Sequence, residues 1–159
     1  MLVEFRKVTR ADLAEVCKVV VAPEQSDLVT PNVMTMAEAQ FEPGASVRGM
    51  WRNDEVVGLL AMLRPSAYPE ETDIVIRRDA AYVWRLMVGG DFQGQGLGQM
   101  ALDEAKRTAI EGGYRGMTLT VASKPHSAIP FYESYGFEQT GRILWGDDNE
   151  LEMVLWFDT

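Results

Sequence analysis

Residues 81–110 read AYVWRLMVGGDFQGQGLGQMALDEAKRTAI, and no other stretch constrains the fold as tightly. An apolar, strand-like run ends at Val88 and a short loop follows. Gly94, Gly96 and Gly98 then alternate with other residues where an amphipathic helix begins. Leu97, Ala101, Ala105 and Ala109 recur at helical spacing on one face, and Gly112-Gly113 stops the pattern. Glycine tolerates positive φ and close approach, so the segment can converge several backbone N–H groups at a helix N-terminus, where anions bind. The expected structure is a strand, a pyrophosphate cradle made by Gln93, Gly94, Gln95, Gly96, Leu97, Gly98 and Gln99, and a helix. The glycine spacing alone is equally consistent with a ligand-free turn.

The rest of the chain reads as a mixture of strands and helices. Leu2 to Val8 suits a first strand, and Thr9 to Asp12 a capping signal for a helix with Leu13, Val16 and Val20 on one face, limited by Pro23. Thr35-Met36-Ala37-Glu38 reads as a capping box for a short helix ending near Phe41. Val47 to Arg52 and Val56 to Arg64 form a hairpin around Asn53-Asp54. Pro65 to Thr72 is a loop and Asp73 to Arg78 a short strand. In the strand Ala81 to Val88, Tyr82, Trp84, Leu86 and Val88 would share one face and Ala81, Val83 and Met87 the other. Met117 to Ala122 is a strand, Ser127 to Tyr135 a short helix ending at Gly136, and Glu150 to Phe157 a terminal strand. This order predicts an α+β fold, an α/β sandwich with helices covering a central sheet.

The phosphate motif narrows by elimination. A P-loop needs Gly-Lys, which occurs nowhere in the chain, and a dinucleotide fingerprint needs a glycine where Gln99 stands. Gln93, Gly96 and Gly98 fit Gln/Arg-x-x-Gly-x-Gly, which resembles the coenzyme-A-binding motif of the GNAT N-acetyltransferases. Downstream, SAIPFYESYGF supplies Ala128, Phe131, Tyr132, Glu133, Gly136 and Phe137, similar in order and separation to a second run common in that family. The resemblance is strong over the C-terminal half and less sharp over the rest.

The resemblance implies the GNAT fold, a mixed, mostly antiparallel sheet flanked by helices and splayed open beside the glycine motif. It implies acetyl-CoA as cosubstrate, without a metal. Where strands separate, backbone groups at Leu86, Met87 and Val88 would lack ladder partners and be free for the pantetheine arm. The N–H near Val88 would stabilise the tetrahedral oxyanion, and Tyr132 would protonate the departing thiolate. Two positions depart from the family pattern. Pro125 stands where many members carry an asparagine, so its coenzyme contact would pass to Ser127 or to backbone groups. Gln93 replaces the more frequent arginine and removes a positive charge from the cradle. The base that takes the amine proton is not assigned; Glu24, Asp27, Glu70, Glu71, Asp73 and Asp91 are the carboxylates considered.

The 159 residues suit a single domain spanning 1–159. With 15 Lys and Arg against 24 acidic residues and a net charge of −9, the chain lacks the basic surface that nucleic acid requires. No apolar run approaches the roughly 20 residues of a membrane span, and the N-terminus lacks a signal-peptide pattern, so cytoplasmic residence is expected. Cys17 is alone and His126 is the single histidine, which excludes an intrachain disulfide and a Cys/His metal cluster. The expected partner is a small-molecule amine, and assembly as a homodimer is left open. Residues 22–25 (APEQ), Val29 and the Met36 to Phe41 segment resemble the spermidine/spermine N-acetyltransferase branch. So do Trp84-Arg85, Gln93-Gly94 and the ELEMVL run at 150–155, and a polycationic acceptor suits the acidic balance. An aminoglycoside, an amino acid or a protein N-terminus are the other acceptors, and an acyl-CoA-binding sensor without catalysis is the alternative of a different class.

Overall fold

The computed structural model describes residues 2–69, 77–144 and 150–158. Among these, seven strands make one sheet: β1 (Val3–Lys7), β2 (Ala45–Arg52), β3 (Glu55–Leu63), β4 (Ala80–Val88), β5 (Gly116–Ala122), β6 (Glu138–Leu144) and β7 (Glu150–Trp156). The strand order is β1-β2-β3-β4-β5-β7-β6, antiparallel throughout except for the parallel β4/β5 pair. Helices α1 (Leu13–Lys18) and α2 (Asn32–Ala39) lie on one face, and α3 (Leu97–Glu111) and α4 (Ile129–Tyr135) on the other. The expected sandwich is therefore present, with a mixed, mostly antiparallel sheet at its centre.

Local chemistry accounts for the elements that position the site. Asn53 and Asp54 turn the β2–β3 hairpin with φ of 51° and 67°, the left-handed conformation that two-residue hairpins demand. The α3 stripe is buried as its spacing predicts, with Leu97, Ala101, Ala105 and Ala109 each no more than 1% exposed. Gly113 ends it at φ 84°, and the Tyr114 N–H reaches back to the Ala109 carbonyl at 3.0 Å. Beneath α3 and α4 the core joins Leu60, Leu102, Leu119, Phe137 and Met153, while Val16, Trp51, Leu59 and Met87 fill the α1/α2 side.

Several expectations are corrected. The Thr9–Asp12 capping box forms, but it caps a 3-10 turn over Arg10–Asp12 that leads into α1. α1 stops at Lys18, so only Val16 of the expected face is buried; Val20 lies beyond the helix and is 67% exposed. α2 begins after Pro31, not at Thr35, because proline pre-sets the φ of a helix start and Thr35 is needed inside as a buried partner for Arg85. Strand β6 was not expected; its mostly exposed EQTGRIL sequence lacks an apolar face, and pairing with β7 alone makes it a strand. The strand expected over 73–78 lies largely outside the described residues, and Arg77 and Arg78 are not in a strand.

The faces of β4 also differ from expectation. Ala61 pairs with Arg85 and Met62 with Val83, so Trp84 has no residue opposite it. That bulge inverts the alternation. Ala81, Val83, Leu86 and Val88 pack toward α3 and α4, while Tyr82, Trp84, Arg85 and Met87 turn toward α1 and α2.

Candidate active site

The sheet opens where β4 leaves β5. Their parallel pairing covers only Ala80–Tyr82 against Gly116–Thr118, after which β4 stays with β3 and β5 with β7. The Gly89 N–H donates to the Val57 carbonyl of β3 at 2.8 Å. In an antiparallel ladder bonded and non-bonded pairs alternate, so Met87 spends its backbone groups on β3, whereas Leu86 and Val88 direct theirs into the gap. Of the three backbone donors expected there, Met87 is thus removed. Met87 is still among the residues that line the cavity, and its side chain packs with Val16, Trp51 and Leu59. The Val88 carbonyl accepts from Gln93 Nε2 at 3.0 Å, which leaves the Val88 N–H facing the opening.

Beyond the end of β4 the glycine loop forms an open concavity. Gly94 and Gly96 have φ of 78° and 81°, and a Cβ at either would meet no heavy atom within 4 Å. The Met100 N–H closes the first helical turn on the Gly96 carbonyl at 3.2 Å, so the N–H groups of Leu97, Gly98 and Gln99 precede the intrahelical ladder. A Cβ at Gly98 would lie 2.9 Å from the Phe131 ring, so glycine here lets α3 approach α4. This arrangement fits an extended anion such as a pyrophosphate. The Gln95 side-chain carbonyl accepts from Arg52, and Gln95 is not among the residues that line the cavity. Arg52, whose guanidinium sits 5.4 Å from the Phe92 ring centre, places a cation beside the loop despite the glutamine at 93. Its distance of 41 residues from the loop hid it from motif reading.

A cavity of about 960 Å³ joins the loop, the strand gap and the α1/α2 side. Leu86, Met87, Val88, Gln93, Gly94, Gly96, Leu97, Gly98, Gln99, Ser127 and Tyr132 all line it. Tyr132, on α4, packs edge-on against Phe137 at 5.8 Å between ring centres, and among the described residues its hydroxyl has no hydrogen-bond partner. Burial pushes its phenol up to about 12. It therefore holds its proton throughout the neutral range and is suited to donate rather than accept. Ser127 is otherwise engaged: its hydroxyl donates to the Ala122 carbonyl at 2.7 Å and accepts from the Ile129 N–H at 3.2 Å, which fixes the turn before α4.

The α1/α2 side of the cavity gathers polar groups from four elements. Tyr82 and Thr120 share a hydroxyl–hydroxyl bond of 3.1 Å, and burial raises Tyr82 to about 12. Arg85 binds Glu38 at 3.3 Å and Thr35 at 3.1 Å and stacks on Trp84. Glu150, half-buried, enters from β7. Sequence reading gave no site role to Tyr82 or Thr120, and it quoted Arg85 and the stretches holding Glu38 and Glu150 only for their resemblance to the polyamine branch, because only the sheet register and the bulge bring the five together. Among the carboxylates it considered, Glu24, Asp27 and Asp91 are exposed and do not line this cavity, and Glu70, Glu71 and Asp73 lie outside the described residues. Among the described residues no group of three or more His, Cys, Asp or Glu could hold a metal ion, and no helix is long and apolar enough to cross a membrane.

A glycine loop at a helix N-terminus, continuous with a splayed strand pair and a polar chamber, has the form of a site for an extended, phosphate-bearing ligand. The chain belongs to the acetyltransferase (GNAT) family, which matches residues 21–137, and it is an acetyl-CoA-dependent N-acetyltransferase. An acetyltransferase from Thermus thermophilus is similar across 99% of this chain and 98% of its own, at 21% identity and a TM-score of 0.77. The PaiA N-acetyltransferase from Thermoplasma acidophilum, in complex with coenzyme A, is 16% identical over 99% of this chain and 100% of its own, with a TM-score of 0.68. The ribosomal-protein-S18-alanine N-acetyltransferase from Escherichia coli is 19% identical over 99% and 96%, with a TM-score of 0.67.

Proposed function

We propose that this enzyme acetylates a primary amine of a small cationic molecule, with a polyamine the leading candidate, by direct attack on acetyl-CoA. The observation that carries this reading is a continuous cavity in which the glycine cradle, the Val88 N–H and Tyr132 meet a chamber lined by Glu38 and Glu150. The loop N–H groups, the α3 dipole and Arg52 hold the pyrophosphate. The pantetheine arm occupies the strand gap against Leu86 and Val88. The Val88 N–H donates to the thioester carbonyl and more strongly to the oxyanion that replaces it, which favours the transition state. Tyr132 delivers its proton to sulfur as the thiolate leaves.

The acidic lining and the net charge of −9 support a cationic acceptor. Glu38, which Arg85 binds at 3.3 Å, and Glu150 are the two carboxylates on this lining. Free-thiol release from acetyl-CoA should be measured across spermidine, spermine, an aminoglycoside, an acidic amino acid and an alanine-initiated peptide. The polyamines are expected to give the highest kcat/KM. Inert polyamines beside a well-acetylated acidic amino acid would reject the cationic acceptor, and coenzyme binding without turnover on any amine would instead favour a sensor.

A further inference from the structure

The chain between α1 and α2 is fastened to the loop that follows β4. We propose that Gln93, although it belongs to the glycine motif, is a positioning residue for the acceptor amine: through Gln25 it holds the acceptor wall of the cavity in place. This role rests on the amine-acetyltransfer reading above and deepens its acceptor side.

The Gln93 side-chain amide has one orientation. Its group 3.0 Å from the Val88 carbonyl must be the –NH2, because a carbonyl oxygen only accepts. The same Nε2 donates to Gln25 Oε1 at 2.7 Å. An amide nitrogen carries two hydrogens, so both are committed and none is left for a phosphate. A pyrophosphate in the cradle meets this loop through its backbone, while the Gln93 side chain ties the end of β4 to the Pro23–Gln25 turn.

A second fastening lies earlier in the same loop. The Gly90 N–H donates to the Val20 carbonyl at 2.8 Å. A Cβ at Gly90 would stand 2.7 Å from the Ala22 nitrogen and 3.0 Å from its Cα, backbone atoms that cannot turn aside, so glycine is what lets the two segments touch. At either end of the segment, Asn32 Nδ2 donates to the Val16 carbonyl at 3.0 Å and the Val19 carbonyl at 3.3 Å. Between these points Val21, Gln25, Leu28, Val29 and Thr30 line the cavity on the α1/α2 side.

Residues 19–31 lie outside every α-helix and strand, and a single 3-10 turn is their regular structure. Such a wall keeps its shape mainly through its neighbours, and the Gln25–Gln93 bond is one of the few that reach it. With Gln25 released, the acceptor must order the wall as it binds, and that ordering is subtracted from its affinity. The coenzyme, held by the loop backbone and the strand gap, carries no such cost. Gln93 moves no proton and touches no reacting atom.

The test uses the full chain and the best amine of the panel. Gln25→Met keeps the side chain's length at a half-buried position and removes the accepting oxygen, so the fold should persist. Its KM for the amine should rise by roughly 2–10-fold, the worth of one hydrogen bond. Its kcat, and its acetyl-CoA dissociation constant read by calorimetry, should stay at wild-type values. Gln25→Glu retains an oxygen for Gln93 and should show no rise in KM. In a Gln93→Met background, Gln25→Met should add nothing, because the bond is already gone. Additive KM rises in the double variant would mean that Gln25 touches the amine itself and would overturn the role of Gln93. Weakened coenzyme binding in Gln25→Met with an unmoved amine KM would overturn it as well, by placing the pair on the phosphate side. A wild type inactive on every amine would remove the acceptor reading and this role with it. An active wild type matched in KM by Gln25→Met would remove the positioning role alone.

Discussion

Tyr132 and Gly96 carry the sharpest consequences at the scale of single residues. Tyr132→Phe preserves the ring contacts with Phe131 and Phe137 and removes only the hydroxyl. Turnover should fall by roughly 10²–10⁴-fold while the acetyl-CoA dissociation constant moves little; wild-type turnover in this variant would leave Tyr132 as a packing residue. Because its phenol sits at about 12, kcat should show no alkaline decline from this group below about pH 10. Gly96→Asp tests the cradle. The position has a left-handed φ that aspartate tolerates better than most residues, and its side chain would meet open space, so the fold should survive. The added carboxylate would face the pyrophosphate, a repulsion of about 4 kcal/mol at 4 Å in an effective dielectric of 20. Calorimetry should show acetyl-CoA binding weakened by at least tenfold (about 1.4 kcal/mol), and unchanged affinity in a folded variant would sink the cradle. Ser127 and Gln95 show how a residue type can be right for a contact and still be employed elsewhere. Both side chains answer to nearer partners, the Ala122 carbonyl and Arg52.

Among the elements, β4 decides what the site can be. Its bulge at Trp84 sends Arg85 to α2 and Leu86 toward α3, so one strand serves both the polar chamber and the strand gap. A regular strand would have placed Trp84 and Leu86 on the same face. The β2–β3 hairpin offers a cleaner energetic test. Asp54 occupies a left-handed conformation at φ 67° that glycine adopts without strain. Asp54→Gly should stabilise the protein by about 0.5–1 kcal/mol, a rise of roughly 1–4 °C in Tm. A thermal melt that moves downward would show that the aspartate makes a compensating contact.

Charge and burial act over the molecule as a whole. If the net charge of −9 steers a polyamine, its kcat/KM should fall as salt shortens the Debye length from about 10 Å toward 3 Å, with a flatter response for a neutral amine. Tyr68, Tyr82 and Tyr132 are each raised by burial to about 12 against an ordinary value of 10. The folded state holds these protons more tightly than the unfolded chain, so the stability they contribute is full below about pH 10 and is lost as pH rises toward 12. Chemical denaturation midpoints should drop across that window, and Tyr82→Phe should lessen the drop; a flat profile would show that the three phenols titrate as if unfolded. Reading residues alone found the strand–glycine–helix unit, the α3 stripe, the hairpin turn and Tyr132, because periodicity, glycine placement and short motifs are encoded by near neighbours in the chain. It could not find strand β6, the inverted faces of β4, or the meeting of Glu38, Arg85, Tyr82, Thr120 and Glu150. Those depend on which strands pair, in which register and with which bulge, and each acquires its neighbours from segments tens of residues away. The glycine loop and α3 were therefore written locally, while the polar chamber was made by the sheet.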